Sequence, residues 1–206
     1  MTDYQHINRD AFLAAVVRTI GHGRLREHQI AGFDEIVPEW AIASGMVWSL
    51  GSRRQLAYVL ATIWHETAFT MQPIAEYGHG HGHAYGEVNH VTGHAYYGRG
   101  YVQLTWLRNY RDFSPLVGCD LVHDPDAALE PAIAARIAVL GMLNGMFTGR
   151  RLRDFITDNR CNFLEARTII NGHDRAAIIA MYASHFDAAL ETAEAAMPAP
   201  TPPATA

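Results

Sequence analysis

The sequence predicts a mainly α-helical domain broken by one long irregular excursion. Three observations predict it. Apolar residues recur at helical spacing in stretches before position 70 and after position 125. Between Met71 and Ala95 glycine, histidine and proline replace that period and no strand period takes over. Apolar residues make up 49% of the 206 positions and charged residues only 18%, enough for a core and too few charges for a disordered chain.

The first helix is expected over Asp10 to Ile20, where Phe12, Leu13, Val16, Val17 and Ile20 share a face and Gly21 stops it. A second runs from Glu27 to Val37 on Ile30, Phe33 and Val37, with Pro38 ending it. A third opens at Ser52, with Gln55 reaching back as in a capping box, and continues through Leu56, Val59, Leu60 and Ile63. Tyr101 to Trp106 reads as a short strand or a helix start. Asp126 to Met146 reads as helical, with Pro131 suited to a first turn. Asn162 and Glu165 form another cap pair, opening a helix to Ile170 that stops at Asn171-Gly172. Asp174 caps the last helix, where Ile178, Met181, Tyr182 and His185 share a face. One domain over residues 1–196 and a disordered Pro/Ala-rich tail over 197–206 account for the chain.

Composition excludes several classes. A formal charge of −5 disfavours a nucleic-acid backbone as partner. No apolar run reaches the roughly 20 residues of a membrane span, so no membrane insertion is expected. The poorly flanked early run from Ala11 to Val17 does not read as a secretory signal. Two cysteines, Cys119 and Cys161, do not make a disulfide scaffold and are expected to be free and packed.

Glu66 stands out chemically. It projects from the apolar stripe of the third helix near its negative C-terminal pole, where desolvation and the dipole disfavour the carboxylate form. A carboxylic acid kept protonated is what a general acid needs. The plain alternative is a glutamate facing solvent, or one paired with an arginine such as Arg99. His65-Glu66 is not a zinc-protease motif, because Phe69 occupies the position of the second histidine. If the reaction is glycoside hydrolysis, a second carboxylate is required, and Glu76 and Glu87 are the candidates.

The segment from Tyr96 to Trp106, with Asn109 and Tyr110, has the makings of a sugar-binding wall. Tyr96 and Tyr110 offer aromatic faces, Arg99, Gln103, Thr105 and Asn109 offer polar groups, and Gly98 and Gly100 allow close backbone approach. The structural alternative is a tight Gly-Arg-Gly turn with its aromatics in the core. Five of the twelve histidines fall between His79 and His94, but their flanking glycines give little preorganisation. A flexible polar loop is expected there, with no metal site and no cofactor.

Together, His65-Glu-Thr67, Tyr96-Tyr-Gly-Arg-Gly100, Gln103-Leu-Thr105, Asn109-Tyr110 and Ile169-Ile-Asn-Gly172, in that order, resemble glycoside hydrolase family 19. That family holds chitinases and phage-type endolysins, and the likeness runs from about Gln29 to Leu190. It implies a lysozyme-like helical fold with a cleft between two lobes, and inverting hydrolysis of a β-1,4 bond beside an N-acetylglucosamine-type sugar. It implies Glu66 as general acid, Thr105 as the hydroxyl that helps hold the attacking water, and Gln103, Asn109 and Asn171 as cleft residues. Chitinases of the family place the base about twenty residues after the acid, towards Glu87; endolysin-like members place it about ten after, at Glu76. The segment leading into Glu76 looks more endolysin-like, so Glu76 is favoured. The expected partner is peptidoglycan, with chitin as the alternative and a non-catalytic glycan-binding role behind it. The chain is expected to act as a monomer at the bacterial wall or outside the cell, after synthesis in the cytoplasm without a signal peptide.

Overall fold

Asn8 accepts a hydrogen bond from the Ala11 amide at 2.9 Å and so opens the first helix, α1 (Arg9–Thr19). The computed structural model describes residues 4–198 except His22 and Met46. Most of the expected 197–206 tail therefore lies outside the described residues. Five further α-helices follow: α2 (Glu27–Ala43), α3 (Leu50–Glu66), α4 (Leu107–Val117), α5 (Pro131–Asn144) and α6 (Ala176–Ala195). Two minimal antiparallel pairs join them. β1 (Ile74–Ala75) pairs with β2 (Arg99–Gly100), and β3 (Ile156–Thr157) with β4 (Arg160–Cys161).

α3 is the centre of the molecule. Every residue from Leu56 to Trp64 is buried, because α6 lies along the helix while α2, α5 and β3 cover its remaining sides. Leu56, Leu60 and Ile63 are fully buried, each contributing roughly 1.5–3 kcal/mol of apolar burial. Phe33 of α2 bridges the helices, its ring 5.4 Å from Phe12 of α1, 5.8 Å from Phe186 of α6 and 6.4 Å from Trp64 of α3. Arg53 ties α3 to α6 through Asp187, Glu191 and Glu194 at 2.9–3.1 Å.

Several expectations are corrected. The third helix starts a turn earlier than Ser52: Ser49 is its cap, accepting from the Ser52 amide at 3.2 Å. Gln55 then lies beyond the first turn, and its Nε2 donates instead to the Ile156 carbonyl at 2.6 Å. Pro38 does not end α2, which continues to Ala43. Trp40, 1% exposed and packed in the core, outweighs the proline's cost of roughly 3 kcal/mol. α4 was not anticipated. The long helical stretch after Asp126 splits into a 3-10 turn (Pro125–Leu129) and α5, which starts at Pro131. The segment capped by Asn162 is a 3-10 turn (Glu165–Ile169), though the Asn162 side chain does accept from the Glu165 amide. Asp174 does not cap α6. Ile179, Ala183, Phe186 and Leu190 face inward, whereas Ile178 and Met181 lie on the exposed side. Cys119 and Cys161 are free, and Cys161 is exposed rather than packed.

Candidate active site

Glu66 is the last residue of α3, held there by the burial of the turns before it. Its side chain is 20% exposed, and its Oε1 accepts from Arg167 Nη1 at 2.7 Å. Arg167 sits on the 3-10 turn at Glu165–Ile169, is 3% exposed, and is fixed by a second bond from its Nε to the Asp174 carbonyl at 3.0 Å. The arginine partner that the sequence suggested, Arg99, is elsewhere. Beside Glu66, burial pushes the His65 imidazole below its ordinary pKa, with Arg167 and Arg175 acting in the same direction.

Glu76 follows directly on β1, and both of its carboxylate oxygens are occupied. Tyr85 Oη donates to Oε1 at 2.9 Å, and the Gly98 amide donates to Oε2 at 3.0 Å. The bond to this carboxylate raises the Tyr85 phenol above its ordinary pKa. Tyr85 is itself packed between the His83 ring, stacked at 5.0 Å, and the edge of Trp106 at 5.4 Å. Gly98 is needed for this arrangement, since a Cβ there would stand 2.8 Å from Gln103 Oε1 and 3.3 Å from Glu76 Cβ. The glycine makes room for the protein's own side chains, not for a ligand as its sequence context suggested. Gly100 likewise admits the Ala128 carbonyl.

The wall from Tyr96 to Tyr110 is in part an internal scaffold. Tyr96 is 3% exposed, Arg99 4% and Tyr110 0%, so the expectation that they contact a glycan is corrected. The Tyr96 hydroxyl donates to the Val122 carbonyl at 2.8 Å and shares a hydrogen bond with the Thr92 hydroxyl at 2.7 Å. Arg99 pairs with Asp126 at 2.7 Å, lies over the Tyr97 ring and donates to the Tyr110 hydroxyl, which donates on to the Tyr97 carbonyl. Gln103 Nε2 donates to the Ile74 and Gly100 carbonyls, clamping β1 against β2. Asn109 Nδ2 donates to the Thr105 carbonyl at 2.8 Å and fixes that residue.

The outward surface of the wall is a groove. Gln103, Thr105, Trp106 and Asn109 line one hollow of ≈ 220 Å³, with Ile170, adjoining the Arg167 turn, also on its lining. Trp106 continues into a second hollow of ≈ 280 Å³ lined by Tyr85, Glu87, Asn89 and His90. Trp106 is half exposed, and it is the wall's open aromatic face. Glu87 is exposed on this second hollow and takes no part in the hydrogen bonds that hold Glu76. Asn171 is exposed just beyond the Arg167 turn, its Oδ1 accepting from the Gly172 amide. The histidine loop is packed rather than loose: His79 stacks on Tyr97 at 4.5 Å, and Gly80 lies against Gly86. A larger hollow of ≈ 470 Å³ lies at the opposite end of α3, near Gly51 and Asp158, and brings no acid–base pair together.

Sequence reasoning missed Arg167 and Tyr85. Arg167 meets Glu66 across 101 positions, which no local pattern encodes. Tyr85 lay in a segment with no period, and its only signal was the run of aromatics spaced along the glycine-rich loop.

No family model matches the chain. It is 32% identical over 111 residues to chitinase 11 of Oryza sativa subsp. japonica, a match covering 52% of this chain and 42% of that relative's length. Among solved structures it resembles chitinase C from Streptomyces griseus HUT6037, with a TM-score of 0.65 and 22% identity over 91% of this chain and 78% of that one. A bacterial family 19 chitinase gives 0.65 and 20% over 89% and 94%, and a class IV family 19 chitinase from Zea mays gives 0.61 and 20% over 88% and 92%. At these identities the common property is the fold, and the mainly α, lysozyme-like architecture expected from the sequence is the one the chain adopts.

Proposed function

We propose that this chain, which carries the fold of the family 19 chitinases, is a glycoside hydrolase that cleaves β-1,4 bonds in an N-acetylglucosamine-containing polymer. Residues 1–196 form its catalytic domain, and peptidoglycan is its substrate, with chitin oligomers as the alternative. The observation that carries the reading is the fixing of two carboxylates, Glu66 by Arg167 and Glu76 by Tyr85 and Gly98, by elements whose neighbours Ile170 and Tyr85 line the hollows that hold Thr105 and Trp106.

Glu66 is the acid. Arg167 occupies its Oε1, so the proton is delivered from Oε2 to the bridging oxygen, and the guanidinium stabilises the carboxylate left behind. Glu76 is the base. It takes a proton from a water that attacks the anomeric carbon from the opposite face, while the Thr105 hydroxyl helps to hold that water. The leaving sugar gains one proton, the base gains the other, and solvent returns both groups to their starting states. A carboxylate fixed at both oxygens has little freedom to act as a nucleophile on the sugar, which favours inversion. Glu76 is preferred to Glu87 because it is positioned by hydrogen bonds, whereas Glu87 lies on an exposed loop surface.

Mass spectrometry of fragments from purified peptidoglycan tests the reading, run beside a chitin-oligomer assay and the variants Glu66→Gln, Glu76→Gln and Glu87→Gln. Peptidoglycan fragments of inverted anomeric configuration, lost with Glu66→Gln and Glu76→Gln, are expected. Cleavage of chitin alone would establish the alternative substrate, and wild-type turnover by Glu66→Gln would remove the proposed acid. Glycan binding without turnover by the wild type would leave only a binding role.

A further inference from the structure

The loop that leaves α3 has an unusual backbone. Ala68, Phe69 and Met71 have φ of 48°, 70° and 55°, a left-handed region that side-chain-bearing residues enter at a cost. Hydrogen bonds hold them there. The Phe69 amide donates to the Trp64 carbonyl at 2.8 Å, Gln29 Nε2 donates to the Phe69 carbonyl at 2.8 Å, and Gln72 Nε2 donates to the His28 carbonyl at 2.6 Å. The outcome is that a phenylalanine stays 44% exposed instead of closing into the core.

Phe69 stands where two hollows meet. On one side a hollow of ≈ 270 Å³ is apolar, with Trp64, Met181 and Tyr182 on its walls; the Phe69 ring lies 5.6 Å from Trp64 and 6.0 Å from Tyr182. On the other a hollow of ≈ 450 Å³ is lined by Arg24, Arg26 and His28 and by no carboxylate. Gly21, Gln29 and Phe69 belong to both, so the two form one groove. Arg24 and Arg26 are exposed, and neither pairs with a carboxylate among the described residues. In a chain of net charge −5, two neighbouring open guanidiniums on one hollow that holds no carboxylate mark an anion-accepting end.

We propose that this groove binds the carboxylate-bearing peptide that branches from the glycan strands of peptidoglycan, with its acidic groups at Arg24 and Arg26 and its aliphatic part against Phe69 and Tyr182. The inference rests on the peptidoglycan reading given above and names the part of that polymer the groove recognises. A chitin strand has neither the branch nor the charge, so it offers this surface nothing. Phe69 follows Glu66 by three residues, so their Cα atoms are at most about 11 Å apart, a span that three or four residues of an extended branch can cover.

Two measurements test it. In the first, wild type and the double variant Arg24→Ser/Arg26→Ser are compared on intact peptidoglycan and on the same strands stripped of peptide by an amidase. On intact material the variant's KM is expected to rise about fivefold at low salt with kcat unchanged, and added salt is expected to shrink that difference. On stripped strands the two proteins are expected to match. Equal KM on intact material, or an equal loss on both, would overturn the proposal. The second needs no catalysis: the free tripeptide L-alanyl-γ-D-glutamyl-meso-diaminopimelate is titrated into the labelled protein and followed by amide NMR. Shifts at Gly21, Gln29 and Phe69 that are lost in the double variant and weakened in Phe69→Ala support the groove; their absence in the wild type removes it. A wild type that cleaves no peptidoglycan yet shows these shifts would refute the function and leave the groove standing.

Discussion

Replacing Arg167 with methionine keeps the buried stem and removes the guanidinium. Two bonds are lost, one to Glu66 Oε1 at 2.7 Å and one to the Asp174 carbonyl at 3.0 Å, from a side chain only 4% exposed. Removing one partner of a buried pair costs about 3–5 kcal/mol, because the other charge is left uncompensated. Glu66 keeps 20% exposure, so water resolvates part of it and the lower end, about 3 kcal/mol, applies. For a chain of this length that is a fall in Tm of about 6–12 °C. Urea denaturation followed by circular dichroism gives the cost, and the double variant with Glu66→Gln gives the coupling, expected at about 1.5 kcal/mol or more. A cost below about 1 kcal/mol, or strictly additive effects, would refute the pairing and with it the proposed grip on the acid.

Three further outcomes are expected. Gly32→Ala should lose about 1–3 kcal/mol in the same denaturation experiment, since the new Cβ meets the Met71 carbonyl oxygen and stands 2.7 Å from Met71 Cβ; a neutral result would mean that the loop after α3 does not rest on α2. Because burial depresses the folded His65 pKa, the unfolded chain takes up a proton that the folded chain resists, so the stability is intact above the ordinary histidine pKa of about 6.5 and is lost as pH falls through the folded value. His65→Gln should therefore flatten the decline in stability between about pH 7 and 5, and an unchanged slope would contradict the burial. Glu76→Gln should return the Tyr85 phenol towards its ordinary value in an alkaline absorbance titration, since that bond is the first cause of its upward shift; an unmoved titration would mean that the two side chains are not in contact.

The parts of the fold legible in the sequence are those that depend on neighbours within one or two turns. The stripe of Leu56, Val59, Leu60 and Ile63 marks α3, Pro131 marks the start of α5, and the Asn162–Glu165 pair marks a turn. Features decided by distant packing were not legible. Pro38 sits inside α2 because Trp40 is anchored beyond it, and α6 turns Ile179 and Phe186 inward because Arg53 fixes Asp187, Glu191 and Glu194 on another face. The same division runs through the site. The Tyr96–Tyr110 segment was found from its residue types, but whether Tyr96, Arg99 and Tyr110 face a ligand or the interior depends on Val122 and Asp126, far along the chain. Glu76 was visible as a carboxylate at a useful spacing, while the hydroxyl that fixes it sits in a segment without pattern.

In sequence, the proposed base Glu76 and the phenol of Tyr85 that aligns it flank the most open tyrosine among the described residues, Tyr77, which is 97% exposed. A protease that cuts after aromatic residues would therefore meet an inviting bond between Tyr77 and Gly78. One nick there would leave the helical body packed through α3 and α6, yet it would sever the chain between the proposed base and the tyrosine that aligns it. That loop is thus the place where the proposed turnover would fail before the fold does.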